Sequence, residues 1–193
     1  MQVGFAATDI TPSIGSERPG GFSKIFHTTV HDPLLATAAV ISDGETTVGL
    51  VGLDALSVKR SVVEAARALI EEKTGIPGAN VMVGCSHTHN GGPCFGALPG
   101  DYLRDEVFDQ DLCEDLAQNH SVAPDPEYLR YTATQIASAV ILADQHKQDA
   151  LLAVGRGEEA SVAHNRRFIM RDGTQVTHPG KGNPDIIDRK SVV

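Results

Sequence analysis

The amino-acid sequence predicts an α/β protein, in which a mixed β-sheet with flanking helices forms an incomplete single domain over residues 1–193. Short apolar runs rich in β-branched residues, typical of strands, occur at residues 2–10, 33–42, 46–53 and 80–85. Apolar residues at three-and-four spacing predict an amphipathic helix over residues 57–73. Because this helix lies between the third and fourth strands, it predicts a strand–helix–strand unit with parallel strands.

Turn and capping residues bound these elements. Asp43-Gly44 is typical of a hairpin turn, and Ser57 is a suitable N-cap for the first helix. Asp125 followed by Pro126 predicts the start of a second helix, which ends near residue 146. Further strands are predicted at residues 151–160 and in a hairpin over residues 168–176, which turns at Asp172-Gly173.

Three segments interrupt this pattern. Residues 12–28 are rich in Gly and Pro, which predicts a loop with no core of its own. Residues 95–124 are acidic and weakly periodic, which favours a surface insertion or a lid, with one short helix near residues 109–118. Residues 178–193 have the composition of a loop, so we expect an unstructured end and interpret the chain as a fragment.

Composition and charge argue against several partners. The chain has 41% hydrophobic and 21% charged residues, which is ordinary for a globular domain. Its formal charge of −9, with no cluster of Lys and Arg, argues against nucleic acid as a partner. No apolar run approaches the ~18 residues that span a bilayer. The N-terminus has no signal-peptide pattern, so we expect a cytoplasmic location, and the oligomeric state stays open.

The segment Cys85-Ser-His-Thr-His-Asn-Gly-Gly-Pro93 is the candidate functional site. It places His87 and His89 directly after a predicted buried strand, where side chains two residues apart face the same way. The carboxyl ends of strands are where open α/β sheets bind ligands, and neutral imidazole is a common metal ligand. The pattern favours a zinc site or, alternatively, an ordinary pair of loop histidines, because a catalytic zinc needs a third protein ligand.

Other polar residues have two interpretations each. Cys85 and Cys94 flank the histidines and could be soft metal ligands, although buried structural thiols are favoured. Asp54, at a predicted strand end, could orient a histidine, although capping of the following turn is favoured. His31 and His164 are interpreted as structural rather than metal-binding residues.

Five short motifs, taken in order, resemble one known family. They are Val3-Gly-Phe-Ala-Ala-Thr-Asp-Ile-Thr-Pro12, Val30-His-Asp-Pro33, Leu50-Val-Gly-Leu-Asp54, Gly84-Cys-Ser-His-Thr-His89 and Asn165-Arg166. Together they resemble the neutral/alkaline non-lysosomal ceramidase family. The resemblance is to the front part of its catalytic domain and covers essentially residues 1–190.

The resemblance implies a zinc-dependent hydrolase of N-acyl amide bonds, acting on a lipid or other small molecule. It implies that His87 is a zinc ligand and that His89 contacts the substrate or the water. It implies that Arg166 lies near the substrate's oxygens. The family's second zinc histidine, its glutamate and its tyrosine have no counterpart in this sequence, so ligands are expected to be missing.

Two classes of function therefore stay open. One is a metal-dependent amidohydrolase, and the other is a catalytically inactive fragment or binding module with an incomplete metal site. From the charge pattern alone, Arg166 and Arg167 could also be a surface pair. A serine or cysteine nucleophile is less favoured, because no Gly-x-Ser-x-Gly elbow occurs.

Overall fold

The computed structural model describes the chain except for residues 22, 97–109, 160–165, 181 and 190–193. The chain divides into two compact units, Met1–Leu152 and Ala153–Val193. The predicted α/β class of an incomplete domain is confirmed, and the domain bounds 1–193 stay a prediction. Residues 151–159 are exposed and lie in no regular element, so this stretch adds nothing to the core of the first unit.

The first unit is built on a five-stranded mixed sheet. Its strands are β1 (Gln2–Asp9), β2 (Leu35–Ser42), β3 (Thr47–Leu53), β4 (Val81–Cys85) and β5 (Gln148–Asp149). They lie in the order β4-β3-β2-β1-β5, and only the β3–β4 pair is parallel. The predictions of a mixed sheet, of the hairpin at Asp43-Gly44 and of parallel strands around the first helix are confirmed.

Among the described residues, three α-helices and a 3-10 helix (Gly78–Asn80) accompany the sheet. The α-helices are α1 (Arg60–Thr74), α2 (Gln110–Asp115), which continues as a π-helical turn to His120, and α3 (Pro126–Gln145). The Asp125 carboxylate accepts the N–H groups of Glu127 and Tyr128 at 2.8 and 3.4 Å, as its N-cap pattern predicted. No helix among the described residues is long and apolar enough to cross a membrane.

The N-cap predicted at Ser57 is wrong. Helix α1 begins at Arg60, and its N-cap is Lys59, whose side chain makes no capping hydrogen bond. The carbonyl oxygens of Ala55 and Leu56 accept hydrogen bonds from His87 instead of starting the helix. These contacts hold Ala55 and Leu56 outside the helix, and the N-cap lies two residues later than predicted.

The long helices α1 and α3 cover one face of the sheet. Their apolar residues form a single buried cluster with alternate residues of the central strands, among them Ala38, Val40 and Val51. Helix α3 lies so close to β1 that a Cβ atom at Gly4 would overlap the carbonyl oxygen of Ala143. A glycine at this position therefore sets the distance between helix and sheet.

The opposite face of the sheet carries a row of apolar side chains. Phe5, Ala39, Leu50 and Met82 are direct cross-strand neighbours on four adjacent strands. Phe5 is 68% exposed and Met82 is 62% exposed. Within the described part of the chain, both long helices therefore lie on the other face.

The second unit is a three-stranded sheet of β6 (Arg167–Met170), β7 (Gln175–Thr177) and β8 (Ile186–Arg189), in the order β7-β6-β8. The hairpin predicted at Asp172-Gly173 is confirmed, with Gly173 at a φ of 82°. The hydroxyl of Thr174 donates a hydrogen bond to the Asp172 carboxylate, and so does its backbone N–H. Both bonds lower the pKa of Asp172, the hydroxyl more strongly.

Two expectations fail near this unit. The strand predicted at residues 151–160 is absent from residues 151–159, which pair with no other strand, and Leu151 and Val154 are fully or almost fully exposed. The expected unstructured end at residues 178–193 instead contains β8, which pairs with β6. Composition missed this strand because its partner lies elsewhere in the sequence.

The cap of α3 gives a stability test. We expect Asp125→Ala to lower the free energy of unfolding by about 1 kcal/mol, because two N–H groups of the first turn lose their acceptor. Urea denaturation followed by circular dichroism measures this loss. Ser57→Ala is the matched control and should cost less than about 0.5 kcal/mol, since Ser57 is not a cap. A larger loss in the control would contradict the assignment.

Candidate functional site

The carboxyl ends of β3 and β4 position the first histidine. The parallel pairing continues past Cys85, because the N–H of Ser86 donates to Leu53 and the N–H of His87 donates to Ala55, both at 3.0 Å. His87 then takes a φ of 61°, in the left-handed region that non-glycine residues rarely occupy. The two hydrogen bonds to Leu53 and Ala55 hold the backbone before this turn, and at His87 the chain bends sharply at the edge of the sheet.

The two imidazoles meet edge to face. The ring centroids of His87 and His89 are 5.2 Å apart, with an angle of 82° between the rings, and both residues are exposed. The sequence placed them side by side by strand alternation, but the strand ends at Cys85. It is the turn at His87 that brings the rings together.

Main-chain oxygens orient both rings. His87 Nδ1 lies 2.9 Å from the carbonyl oxygen of Leu56, and His89 Nδ1 lies 3.1 Å from that of Gly20. A carbonyl oxygen only accepts hydrogen bonds, so in each case the Nδ1 atom carries the proton. In the neutral state each Nε2 atom then keeps its lone pair, which is the arrangement that metal-binding or proton-accepting histidines need.

The Gly/Pro-rich loop at residues 12–28 forms the other side of the site. Besides the Gly20 contact, Arg18 Nη1 donates to Asn90 Oδ1 at 3.2 Å. His27 Nε2 lies 3.0 Å from the carbonyl oxygen of Gly91. Sequence reasoning described this loop only as lacking a core and missed its part in the site, because these partners are 64 to 72 positions apart.

The backbone of Gly20 lies directly against the ring of His89. Its φ is 96°, and a Cβ atom on it would overlap the ring of His89 at Nδ1. Only glycine combines this backbone conformation with such a close approach. The loop therefore fixes the ring of His89 both by a hydrogen bond and by contact.

The turn after the histidines is anchored on α3. A Cβ atom at Gly92 would overlap the ring of Tyr128, whose hydroxyl donates to the carbonyl oxygen of Ile10. Cys94 is fully buried, with its Sγ 3.6 Å from Thr132 Oγ1. Burial raises the pKa of the Cys94 thiol to about 11 and also raises the pKa of the Tyr128 hydroxyl. Cys94 is thus the buried structural thiol that the sequence favoured.

The remaining candidates are placed as follows. The Asp54 carboxylate accepts the N–H of Leu35 at 3.0 Å, so it caps the start of β2 and not the following turn as predicted; among the described residues it bonds no histidine. Cys85 is half-buried, and burial raises its pKa. His31 Nδ1 lies 2.7 Å from Asp32 Oδ2 in an exposed pair. His164 lies outside the described residues.

Arg166 belongs to the second unit. It is exposed, and its carbonyl oxygen accepts the N–H of His178 at 3.1 Å. Its predicted role beside the substrate therefore stays a prediction. Arg167 begins β6, and its side chain is likewise exposed.

The residues fit zinc in the kind of donor but not in number. His87 and His89 offer imidazole nitrogens, which zinc binds readily. Among the residues that the structure describes, however, no group of three or more His, Cys, Asp or Glu residues is placed to hold a metal ion. A zinc site at His87 therefore needs donors beyond this pair.

The acidic segment is only partly described. The predicted helix near residues 109–118 is confirmed from Gln110 onward, and residues 97–109 lie outside the description. The N–H of Ala123 donates to Glu17 Oε2 at 2.7 Å, which ties the end of the segment to the loop beside the histidines. A lid function stays a prediction.

No protein-family model and no curated protein matches this sequence. Solved structures do match. Neutral ceramidase from Pseudomonas aeruginosa is 22% identical with a TM-score of 0.56, over 76% of this chain and 22% of that chain. A ceramidase complexed with C2 is 21% identical with a TM-score of 0.55, over 76% of this chain and 21% of that chain.

Because the identities are low, these matches show the fold of this chain and nothing more specific. The resemblance to ceramidases that the five motifs indicated is confirmed at this level. The chain spans about a fifth of the length of the matched ceramidases.

The contact between Gly20 and His89 can be tested directly. We expect Gly20→Ala to displace the His89 ring and remove its preference for a proton on Nδ1, because the new methyl group occupies the position of that atom. Long-range ¹H–¹⁵N correlation spectra of the imidazoles report the tautomer of each ring. The His87 signals should change less, since its Nδ1 donates to Leu56.

The matched control is Gly15→Ala. Gly15 lies in the same loop at a φ of 91°, but no atom lies within 4 Å of its Cβ position. It carries the same backbone strain, about 1–2 kcal/mol, without the clash. Equal changes of the His89 signals in the two variants would contradict the assigned contact.

Burial also separates two thiols by reactivity. At about pH 8 we expect iodoacetamide to modify Cys85 faster than Cys94, because the reactive thiolate is scarcer when burial raises the pKa to about 11. Peptide mapping by mass spectrometry measures both rates. Unfolding in urea should make the rates similar, whereas equal rates in the folded protein would contradict the burial of Cys94.

Proposed function

We propose that this chain is part of a ceramidase-like, zinc-dependent hydrolase of N-acyl amide bonds, with a lipid or other small-molecule amide as its substrate. The fold supports this proposal, because the matched structures are ceramidases. The observation that carries it furthest is the orientation of His87 and His89, whose Nδ1 atoms both face carbonyl oxygens.

His87 would hold the zinc through Nε2. Its Nδ1–H donates to Leu56, which fixes the ring and increases the basicity of Nε2. Zinc, when bound, polarises the amide carbonyl and lowers the pKa of water towards ~7. The left-handed turn at His87 supports this role as well, since strained backbone occurs often at functional sites.

His89 would act on the substrate or the water. Its Nε2 atom keeps a lone pair and can accept a proton, while Nδ1–H stays bound to Gly20. Arg166 is proposed to steady the negative charge that develops on the amide oxygen, since a guanidinium stays charged and presents several donors. A cytoplasmic location remains part of this proposal.

The second candidate is a catalytically inactive fragment or binding module with an incomplete metal site. The observation that favours it is the lack of a third ligand beside the histidine pair among the described residues. Such a chain would bind zinc weakly, because two imidazoles provide fewer donors than a structural or catalytic zinc site.

Metal content separates the two candidates. The purified chain is loaded with zinc, desalted and measured by elemental analysis beside His87→Ala. For the hydrolase we expect about one zinc per chain, lost in the variant, because a zinc site loses most of its affinity with one ligand. Zinc-loaded protein should then release fatty acid from N-acyl amides.

His31→Ala is the matched control. His31 is also an exposed histidine, but it contacts Asp32 and is not one of the two histidines His87 and His89. This variant should retain the zinc. A chain that binds no zinc under these conditions would favour the inactive fragment. Zinc bound equally by wild type and His87→Ala would remove His87 as a ligand.

A further inference from the structure

A cleft beside the histidine pair carries polar groups that the proposed hydrolysis does not use. Its volume is about 480 Å³. One side is formed by the chain between β1 and β2, and the other by Thr88 and Asn90, which flank His89. Its charged and titratable groups are the side chains of Arg18, His27, His31 and Asp32.

Arg18 is the half-buried cation of this cleft. Its guanidinium donates to Asn90 Oδ1 at 3.2 Å, which leaves most of its N–H groups available. Glu17 is paired with Lys24 at 2.8 Å. Within the described part of the chain, Arg18 makes no ion pair with a carboxylate. A guanidinium without a carboxylate partner favours an anionic ligand.

Hydroxyl groups add further donors. Thr11 Oγ1 accepts the N–H of Leu34 at 2.9 Å, and Thr88 Oγ1 accepts that of Asn90 at 3.3 Å. Because each oxygen already accepts a hydrogen bond, each hydroxyl keeps its own proton to donate. Thr28 and Thr29 also line the cleft. The lining is therefore rich in donors and suits a ligand rich in acceptors.

Asp32 is the negative group of the cleft, and it lies in water. The side chains of His31 and Asp32 are 94% and 83% exposed, and their atoms Nδ1 and Oδ2 are 2.7 Å apart. Solvent and salt screen exposed charges strongly. Arg18 is less exposed than Asp32, so its charge is the less screened of the two.

We propose that this cleft binds the carboxylate of an N-acyl amino acid, with Arg18 as the partner of that carboxylate. In such a ligand the carboxylate and the amide nitrogen share one carbon atom. A carboxylate held at Arg18 therefore keeps the amide close to Thr88 and Asn90, beside the histidine pair. Cleavage of that amide rests on the proposed function, but binding of the carboxylate does not.

Isothermal titration calorimetry of the purified chain tests the binding. The probes are N-octanoylglycine and its neutral analogue N-octanoylglycinamide. We expect the carboxylate to bind about tenfold more tightly or better, because hydrogen bonds between ions are stronger than neutral ones. Arg18→Gln should abolish this preference, and Arg18→Lys should retain only part of it, since lysine lacks the forked donors. Equal affinities of wild type for the two probes would overturn the proposal.

Arg60→Gln is the matched control. Arg60 lies on α1, pairs with Glu64 at 2.7 Å and does not line the cleft. This variant removes the same charge, so it should keep the preference for the carboxylate. Equal losses in the two variants would show an effect of net charge and would overturn the assignment to Arg18. Circular dichroism confirms that each variant is folded.

Glycine release is measured separately with zinc-loaded protein. Binding through Arg18 without release of glycine would uphold the carboxylate site and count against the proposed hydrolysis. If octanoate were released from both probes and both bound with equal affinity, the proposed hydrolysis would be upheld and the carboxylate site would be rejected.

Discussion

The parallel pairing of β3 with β4 is the constraint on which the rest of the structure depends. It extends beyond both strands, because Leu53 and Ala55 accept the N–H groups of Ser86 and His87. These bonds place His87 at the carboxyl edge of the sheet and force its left-handed turn. Ala55 and Leu56 after β3 are also held against His87, and α1 begins only at Arg60. The hydrogen bonds that continue the β3–β4 pairing thus affect both the start of α1 and the position of His87.

The second determinant is the loop at residues 12–28, whose large apolar side chains Ile14 and Phe26 are exposed. It is held by polar contacts with the histidine segment, through Gly20, Arg18 and His27. In return it orients the ring of His89 and forms one wall of the cleft. The hydrogen bonds that hold the loop in place are therefore the same ones that orient the histidine segment. A substitution at Gly20 therefore acts on the orientation of the His89 ring as well as on stability.

The ceramidase-like fold and the chemistry of the site stand on different grounds. The fold is shared with about a fifth of the length of the matched ceramidases, at identities that say nothing about substrate. Oriented imidazoles are compatible with metal-assisted hydrolysis, yet the described residues supply only this pair of donors. The face of the sheet that carries Phe5 and Met82 also keeps large apolar groups in contact with water. One face of a mainly antiparallel sheet often meets water, but that face is usually polar, so this apolar row is unusual.

The sequence by itself determined the elements with strong local signals. Asp125-Pro126, the Asp-Gly turns, the helix periodicity and the His-Thr-His segment were all recognised, because their causes lie within a few residues. Only the tertiary structure decided where α1 begins, that β8 forms and that residues 151–159 do not pair. It also decided that Gly20, Arg18 and His27 belong to the site. These features depend on hydrogen-bond partners far away in the sequence, which no local pattern of apolar or turn residues can specify.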